Sequence, residues 1–162
     1  MRNFFYKKPR LYEQMDDSSS VELLDYSQFD NDWIRLHMHL KHKGNPEYGL
    51  KGDVNLNMTK AKTLKNMIYI IGDLNIVNCD IPSLGDLYLA YGNVNASRSK
   101  LRDLGDLAIV IGDLILTSTL VSSLGSLKHI NGNLYIRGTD LARNMSPDEI
   151  RKKIYVKGDI LT

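Results

Sequence analysis

The sequence predicts a mainly-β protein built as a β-solenoid of about five 20-residue coils, and three observations lead to this prediction. A glycine followed by Asp or Asn and then an aliphatic residue recurs at positions 52, 72, 92, 112 and 132, and again at 158. Apolar residues keep the same places within each 20-residue unit. The residues after each glycine alternate between apolar and polar, as in a strand with one buried face. Repetition at this period is typical of units that bury their apolar faces by stacking.

The composition is that of an ordinary soluble protein. The chain has 162 residues, of which 43% are hydrophobic and 25% charged, and its formal net charge is +2. No run approaches the ~18 apolar residues of a membrane span, and the N-terminus lacks the apolar region of a secretory signal. The single cysteine, Cys79, cannot form an internal disulfide, which favours a reducing compartment. We expect a cytoplasmic protein without a membrane segment, in the host cytoplasm if the source is viral.

Counting each coil from its glycine, six places should point towards the core. These are the third, fifth, tenth, thirteenth, sixteenth and nineteenth, which carry mostly Leu, Ile, Val, Ala or Met. The eighth place always holds a small side chain with a polar head, namely Thr59, Cys79, Ser99, Thr119 and Thr139. We expect this side chain to turn inward and bond the backbone where the chain bends.

This pattern resembles that of leucine-rich repeats. LNIVNCDI, from Leu74 to Ile81, follows the core L-x-L-x-x-(N/C)-x-L, and LGSLKHINGNLYI, from Leu124 to Ile136, is similar to the longer pattern of receptor L-domain-type repeats. The resemblance covers residues 50–162 and implies a right-handed solenoid with more than one strand per coil. Hydroxyl residues replace the usual asparagine, so no regular asparagine ladder is expected at the eighth place.

The chain should divide into an N-terminal arm and cap, residues 1–48, and the repeat solenoid, residues 49–162. Within the cap, Ser19 followed three residues later by Glu22 fits a capping box and predicts a short helix over 20–26. A cap is needed because the first coil of a stack otherwise exposes an apolar end and a strand edge.

Residues 33–41 alternate strictly between apolar and polar, which predicts a strand laid on the first coil. Its inner face would carry Ile34, Leu36, Met38 and Leu40. Its outer face would be basic, with Arg35, His37, His39 and Lys41.

The fifth coil contains an insertion with strong helix signals. Ser146 at the N-cap, Pro147 at the first helical position and Glu149 in the capping box predict a short helix over 147–153. The strand edge beyond it is expected to be exposed, and it could pair with a second copy or with a partner.

The end of each coil is the most unusual feature, because large apolar residues there alternate with the inward places. Two outward rows are predicted, which together give a candidate protein interface: Tyr69, Ile71, Leu89, Tyr91, Ile109, Ile111, His129 and Tyr155. Contiguous exposed apolar surface usually marks an interaction site. The alternative is that residues 1–50 fold back over it.

A second hypothesis is nucleic-acid binding by basic residues near the N-terminus. The candidates are Lys7, Lys8 and Arg10 in the arm, mixed with aromatic residues, and Arg35, His37, His39 and Lys41 on the predicted cap strand. Basic and aromatic residues together can hold a phosphate backbone and stack on bases.

Neither a metal site, a cofactor site nor a catalytic set is predicted. The Asp and Asn residues after the glycines should each cap their own turn rather than bind a cation. His37 and His39 have a spacing compatible with metal ligands, but they lie between basic neighbours. The sequence therefore predicts a non-enzymatic protein–protein interaction module that binds a partner protein or itself. An adaptor, an inhibitor and a viral accessory protein all fit this description.

Overall fold

The computed structural model describes residues 21–162, in which the strands form two parallel sheets. The predicted arm residues Lys7, Lys8 and Arg10, and the capping-box residue Ser19, lie outside this range. Sheet A contains, in spatial order, β1 (Glu22–Asp25), β2 (Tyr48–Lys51), β4 (Met67–Ile71), β6 (Leu89–Ala90), β8 (Ile109–Val110), β10 (His129–Ile130) and β12 (Tyr155–Val156). Sheet B contains β3 (Val54–Asn55), β5 (Leu74–Asn75), β7 (Val94–Asn95), β9 (Leu114–Ile115), β11 (Leu134–Tyr135) and β13 (Ile160–Leu161).

The register of both sheets follows the 20-residue period. In sheet B, Leu74 pairs with Val94 and Val94 with Leu114, always in parallel. In sheet A, Tyr69 pairs with Leu89 and Leu89 with Ile109. Successive repeats therefore stack on one another, and the prediction of a mainly-β stack of parallel strands is confirmed.

The core lies between the two sheets and is formed largely by residues predicted to point inward, although Ala61 and Ile160 among them are only partly buried. The thirteenth and sixteenth places are buried in the first four repeats: Leu64, Leu84, Leu104, Leu124, Met67, Leu87, Leu107 and Leu127. Complete burial of one such side chain contributes ~1.5–3 kcal/mol. Because each side chain packs against those of the next repeat, this contribution depends on stacking.

The hydroxyl side chains at the eighth place bond the backbone as predicted. Thr119 Oγ1 donates to the carbonyl of Leu116 at 2.7 Å, and Thr139 Oγ1 donates to that of Ile136 at 2.7 Å. Cys79 is buried, and its thiol donates to the carbonyl of Leu56 in the preceding repeat.

The Asp and Asn residues after the glycines form a ladder between repeats, which corrects the prediction that each caps its own turn. Asp73 Oδ1 accepts the backbone N–H of Asn93 at 2.7 Å, and Asn93 Oδ1 accepts that of Asp113 at 2.8 Å. Asp113 Oδ1 accepts that of Asn133 at 2.7 Å. Each carboxylate or amide thus fixes the corner of the following repeat.

From Gly72 onwards, the glycine before each ladder residue is required by close stacking on the preceding repeat. A Cβ added at Gly132 would overlap Asp113 Oδ1 and the backbone of Gly112. Gly92, Gly112 and Gly158 meet the same obstacle and do not have positive φ. The glycine therefore recurs chiefly because the preceding repeat leaves no room for a side chain.

At the N-terminal end, the predicted helix over 20–26 is wrong in the part that the structure describes. Residues 22–25 form β1, which pairs in parallel with β2 and extends sheet A by one strand. A 3-10 helix follows at Tyr26–Phe29. Sheet pairing, which is not local, overrides the weak helix signal in this short segment.

The predicted strand over 33–41 is also wrong, because these residues form the helix α1 (Trp33–His42). Asp32 is the N-cap and accepts the backbone N–H groups of Ile34 and Arg35. Leu36 and Leu40, four residues apart, are buried, whereas Ile34 is 70% exposed. The apolar residues at alternate positions therefore do not share one face.

At the C-terminal end, two short helices lie beside the last repeat. The predicted helix is present as α3 (Pro147–Lys153), with Ser146 and Glu149 forming the capping box. The helix α2 (Asp140–Asn144), capped by Thr139, was not predicted. Leu141 and Ile150 are fully buried, so both helices contribute to the core at this end.

Candidate protein-binding face

The structure aligns the predicted interface residues in two rows on sheet A, which we call the outer face. In the first row, Tyr69, Leu89, Ile109, His129 and Tyr155 are consecutive partners across five strands. Ala90 and Val110, the neighbouring residues in β6 and β8, are fully buried. Since side chains alternate along a strand, the first row faces away from the core.

The second row carries the residues that precede the corner glycines. Ile71 is 39% exposed and Tyr91 is 50% exposed, while Ile111 is half-buried. Asn131 and Lys157 take the same place at the C-terminal end. Apolar exposure in this row is therefore concentrated over β4, β6 and the end of β8.

Tyr69 marks the N-terminal limit of the first row. A Cβ added at Gly49, its partner in β2, would lie inside the Tyr69 ring, so the ring covers β2 at that point. Partial burial, together with the nearby Tyr91, raises the pKa of Tyr69. The phenol therefore stays neutral and acts as part of an apolar surface.

The C-terminal end of the first row is an aromatic pair. The rings of His129 and Tyr155 stack with centroids 4.6 Å apart and an interplanar angle of 24°. His129 Nε2 has no hydrogen-bond partner among residues 21–162. Tyr155 is 54% exposed, so the pair presents a flat ring surface at the end of sheet A.

The sequence predicts an exposed strand edge at the C-terminal end, and in sheet A this edge, β12, is partly covered. The N–H groups of Tyr155 and Lys157 donate to the carbonyls of Lys128 and Ile130, on the side of β10. The backbone groups of Val156, between them, therefore point to the free edge of the sheet. The Arg151 guanidinium donates to the carbonyl of Val156 at 2.6 Å and to the carbonyl of Gly158 at 2.7 Å. A basic side chain over an edge strand hinders pairing with another chain.

The four cap residues of the nucleic-acid hypothesis do not form one basic face. On α1, residues two positions apart point ~200° away from each other, so Arg35 and His37 diverge. Arg35 pairs with Asp30, and the His37 ring packs on Trp33 with centroids 4.3 Å apart. Burial and the charge of Lys65 lower the pKa of His37 to about 4, so this ring is neutral at pH 7.

The remaining two residues of this set are also separated. His39 packs against Phe29, with ring centroids 5.1 Å apart, whereas Lys41 is exposed. A continuous phosphate-binding surface would require these charges side by side. The basic strand face is therefore an incorrect prediction, and the arm residues lie outside the described range.

The ladder aspartates are engaged with backbone rather than gathered round a cation. Across residues 21–162 there is no cluster of three or more His, Cys, Asp or Glu side chains with a geometry suited to a metal ion. Separately, no helix in that range is both long enough and apolar enough to cross a bilayer.

Comparison with known proteins gives no relative. The chain matches no protein-family model, no curated protein and no solved structure.

Two features of the outer face were missed in the sequence. One is Arg151 at the strand edge, whose role depends on where α3 packs. The other is the pair of exposed aspartates Asp86 and Asp106, which occupy the same place just before β6 and β8. Their recurrence at a 20-residue interval is visible in the sequence and could have signalled an acidic border.

Proposed function

We propose that this protein is a non-enzymatic binding module that holds a partner protein on the outer face of sheet A. The observation that carries the proposal is the alignment of apolar and aromatic side chains in two register-matched rows. Surfaces of this kind are rarely left open in soluble proteins. Aromatic residues are also enriched at protein interfaces.

We further propose that the stack is a right-handed, leucine-rich-repeat-like solenoid of about five coils. The support is the 20-residue register, together with the buried leucines at equivalent places. In such a scaffold the stacking residues are fixed by packing, whereas the outward residues can be adapted to a partner.

Binding is favoured over catalysis because the repeated places carry Leu, Ile, Asn and Thr. These residues do not supply a convergent acid, base and nucleophile. An adaptor, an inhibitor and a viral accessory protein remain compatible with this function, and a cytoplasmic location remains a prediction.

The test compares a double variant of the outer face with a matched control. In Leu89→Glu/Ile109→Glu, two charges are placed in the first row, whereas Leu120→Glu changes a leucine that is 47% exposed but lies outside both rows. Tagged forms of each would be used for affinity purification and light scattering, with circular dichroism to verify folding. We expect the double variant to lose partner or self-association and the control to keep it.

The proposal would be refuted if the folded double variant retained the same associations as the control. Loss of association in both variants would also contradict it, because binding would then not depend on the outer face.

A further inference from the structure

The two long sides of the outer face are bordered by carboxylates. Asp86 and Asp106 precede β6 and β8 on one side, and both are exposed. The ladder aspartates follow the second row on the other side: Asp53, Asp73 and Asp113. Asp73 and Asp113 lie two positions after Ile71 and Ile111, and Asp86 and Asp106 lie three positions before Leu89 and Ile109. The borders therefore run beside the apolar strip.

These border charges are not neutralised within the described part of the chain. None of the ion pairs among residues 21–162 includes Asp86, Asp106 or a ladder aspartate. The ladder bonds use Oδ1 of Asp73 and Asp113, and no donor in the described range reaches their Oδ2 atoms. The borders can therefore accept further hydrogen bonds from cationic groups.

The strip between the borders is uncharged over β4, β6 and β8, whose sequences there are MIYII, LYLAY and LAIVI. Exposed lysines lie at both ends of the strip: Lys51 and Lys65 at the β2–β4 end, and Lys128 and Lys157 at the β10–β12 end. The uncharged part over β4, β6 and β8 spans two spacings of ~4.8 Å, or ~10 Å, and the whole first row from β4 to β12 spans four, or ~19 Å. Four residues of strand make the face ~13 Å wide. This area fits one helix of about 13 residues, since a helix rises ~1.5 Å per residue and is ~10–12 Å across.

We infer that the outer face takes an apolar segment of a separate partner protein that is flanked on both sides by Lys or Arg. This inference rests on the proposed function and adds the chemistry of the partner. Basic flanks would lie over the two carboxylate borders along β4, β6 and β8. Electrostatic complementarity of this kind determines which partner is accepted and how it is oriented.

The same borders disfavour two other occupants. A second copy aligned face to face would bring acidic borders against acidic borders. A nucleic acid would place phosphates beside Asp86 and Asp106. Like charges in contact at an interface reduce affinity, so neither occupant matches this surface.

The test uses two amphipathic peptides of about 13 residues with the same leucine stripe. One carries lysine on both sides of the stripe, and the other carries glutamate. Binding to the full chain would be measured by fluorescence anisotropy at low and at physiological salt. We expect the lysine peptide to bind at least tenfold more tightly than the glutamate peptide, with a difference that shrinks as salt increases.

Charge-reversed variants test whether the preference for the lysine peptide comes from the border aspartates. Asp86→Lys/Asp106→Lys should weaken binding of the lysine peptide about tenfold, a change equivalent to ~1.4 kcal/mol. Asp30→Lys/Asp148→Lys alters the net charge equally at exposed positions outside sheet A and should leave binding unchanged.

The outcomes separate this inference from the proposed function. If both peptides bind equally and Leu89→Glu/Ile109→Glu abolishes both, the face binds partners but the inferred basic chemistry is wrong. If neither peptide binds any variant, the inference is overturned. If the lysine peptide binds only after Lys7, Lys8 and Arg10 are changed to Glu, the face is occupied by the chain's own basic segment, which overturns the separate-partner assignment.

Discussion

The ladder between repeats can be tested most directly at Asp113. Its Oδ1 accepts two bonds from Asn133, one from the backbone N–H at 2.7 Å and one from Nδ2 at 3.2 Å. Asp113→Ala removes the acceptor of both bonds and leaves the half-buried backbone N–H of Asn133 unpaired. Asp113→Asn keeps an oxygen at the same position, as Asn93 does in the preceding repeat.

The expected loss in the free energy of unfolding follows from these two hydrogen bonds. A hydrogen bond to a charged acceptor is worth ~1.5–3 kcal/mol, and a neutral one ~0.5–1.5 kcal/mol. Because the corner is only half-buried, water can replace part of the lost interaction. We therefore expect Asp113→Ala to lower the free energy of unfolding by about 1.5–2 kcal/mol, and Asp113→Asn, which keeps two weaker bonds to a neutral oxygen, by about 0.5–1 kcal/mol.

Urea unfolding followed by circular dichroism would measure both values, provided that the m-value is the same for the two variants. In thermal unfolding, the alanine variant should lose about 3–8 °C. Equal losses in the two variants would refute the reasoning, because the cost would then not come from the missing acceptor. A loss below about 0.5 kcal/mol for alanine would show that the ladder contributes little to stability.

Three further predictions concern other parts of the stack. Thr119→Val should cost about 1 kcal/mol in urea unfolding because the bond to the Leu116 carbonyl is lost, whereas Thr119→Ser, which keeps the hydroxyl, should cost less. Gly132→Ala should cost more than about 3 kcal/mol or prevent folding, and a loss under 1 kcal/mol would contradict the steric explanation. The pKa of His37 is about 4 when folded and 6.5 in its ordinary range, so unfolded chains bind the additional proton between these values. Stability should therefore fall by about 1–2 kcal/mol as the pH decreases from 6.5 to 4, allowing for solvent screening at this half-exposed ring, and His37→Phe should reduce that slope in pH-dependent urea unfolding.

The stack was predictable from the sequence because one pattern is repeated. Burial of Leu64, Leu84 and Leu104 at the same place follows from the 20-residue spacing, since each unit must offer the same side chain to its neighbour. The helix α3 was predictable for a different reason, because its capping signals are local. In both cases a single requirement, stacking for the buried leucines and local capping for α3, is enough to predict the structure.

The N-terminal cap was not predictable to the same degree. Leu36 and Leu40 satisfy both a strand pattern of period two and a helix pattern of four residues, so apolar spacing alone could not decide between them. Asp32 before Trp33 was the signal that favours a helix. For β1 there is no comparable local signal, because its conformation depends on pairing with β2.

The corner motif shows a further limit of sequence reasoning. An aspartate after a glycine can bond its own turn or the next repeat, and both options are compatible with the same letters. Only the register of stacked strands shows that Asp73 reaches Asn93. Likewise, the glycine suggests a turn conformation, whereas at Gly132 the decisive constraint is the oxygen of the preceding repeat.

Because of this stacking, different positions of each coil contribute to stability and to partner binding. The Gly–Asx corner and the inward residues stabilise the stack, so a substitution there should mainly lower the free energy of unfolding. The residue just before the glycine faces outward and varies from Ile71 to Tyr91, Ile111, Asn131 and Lys157. Because its side chain is exposed or half-buried in every repeat, it can be changed at little cost to the fold. Substitutions in this second row should therefore alter binding more than stability, which makes it the natural place for partner specificity to be encoded.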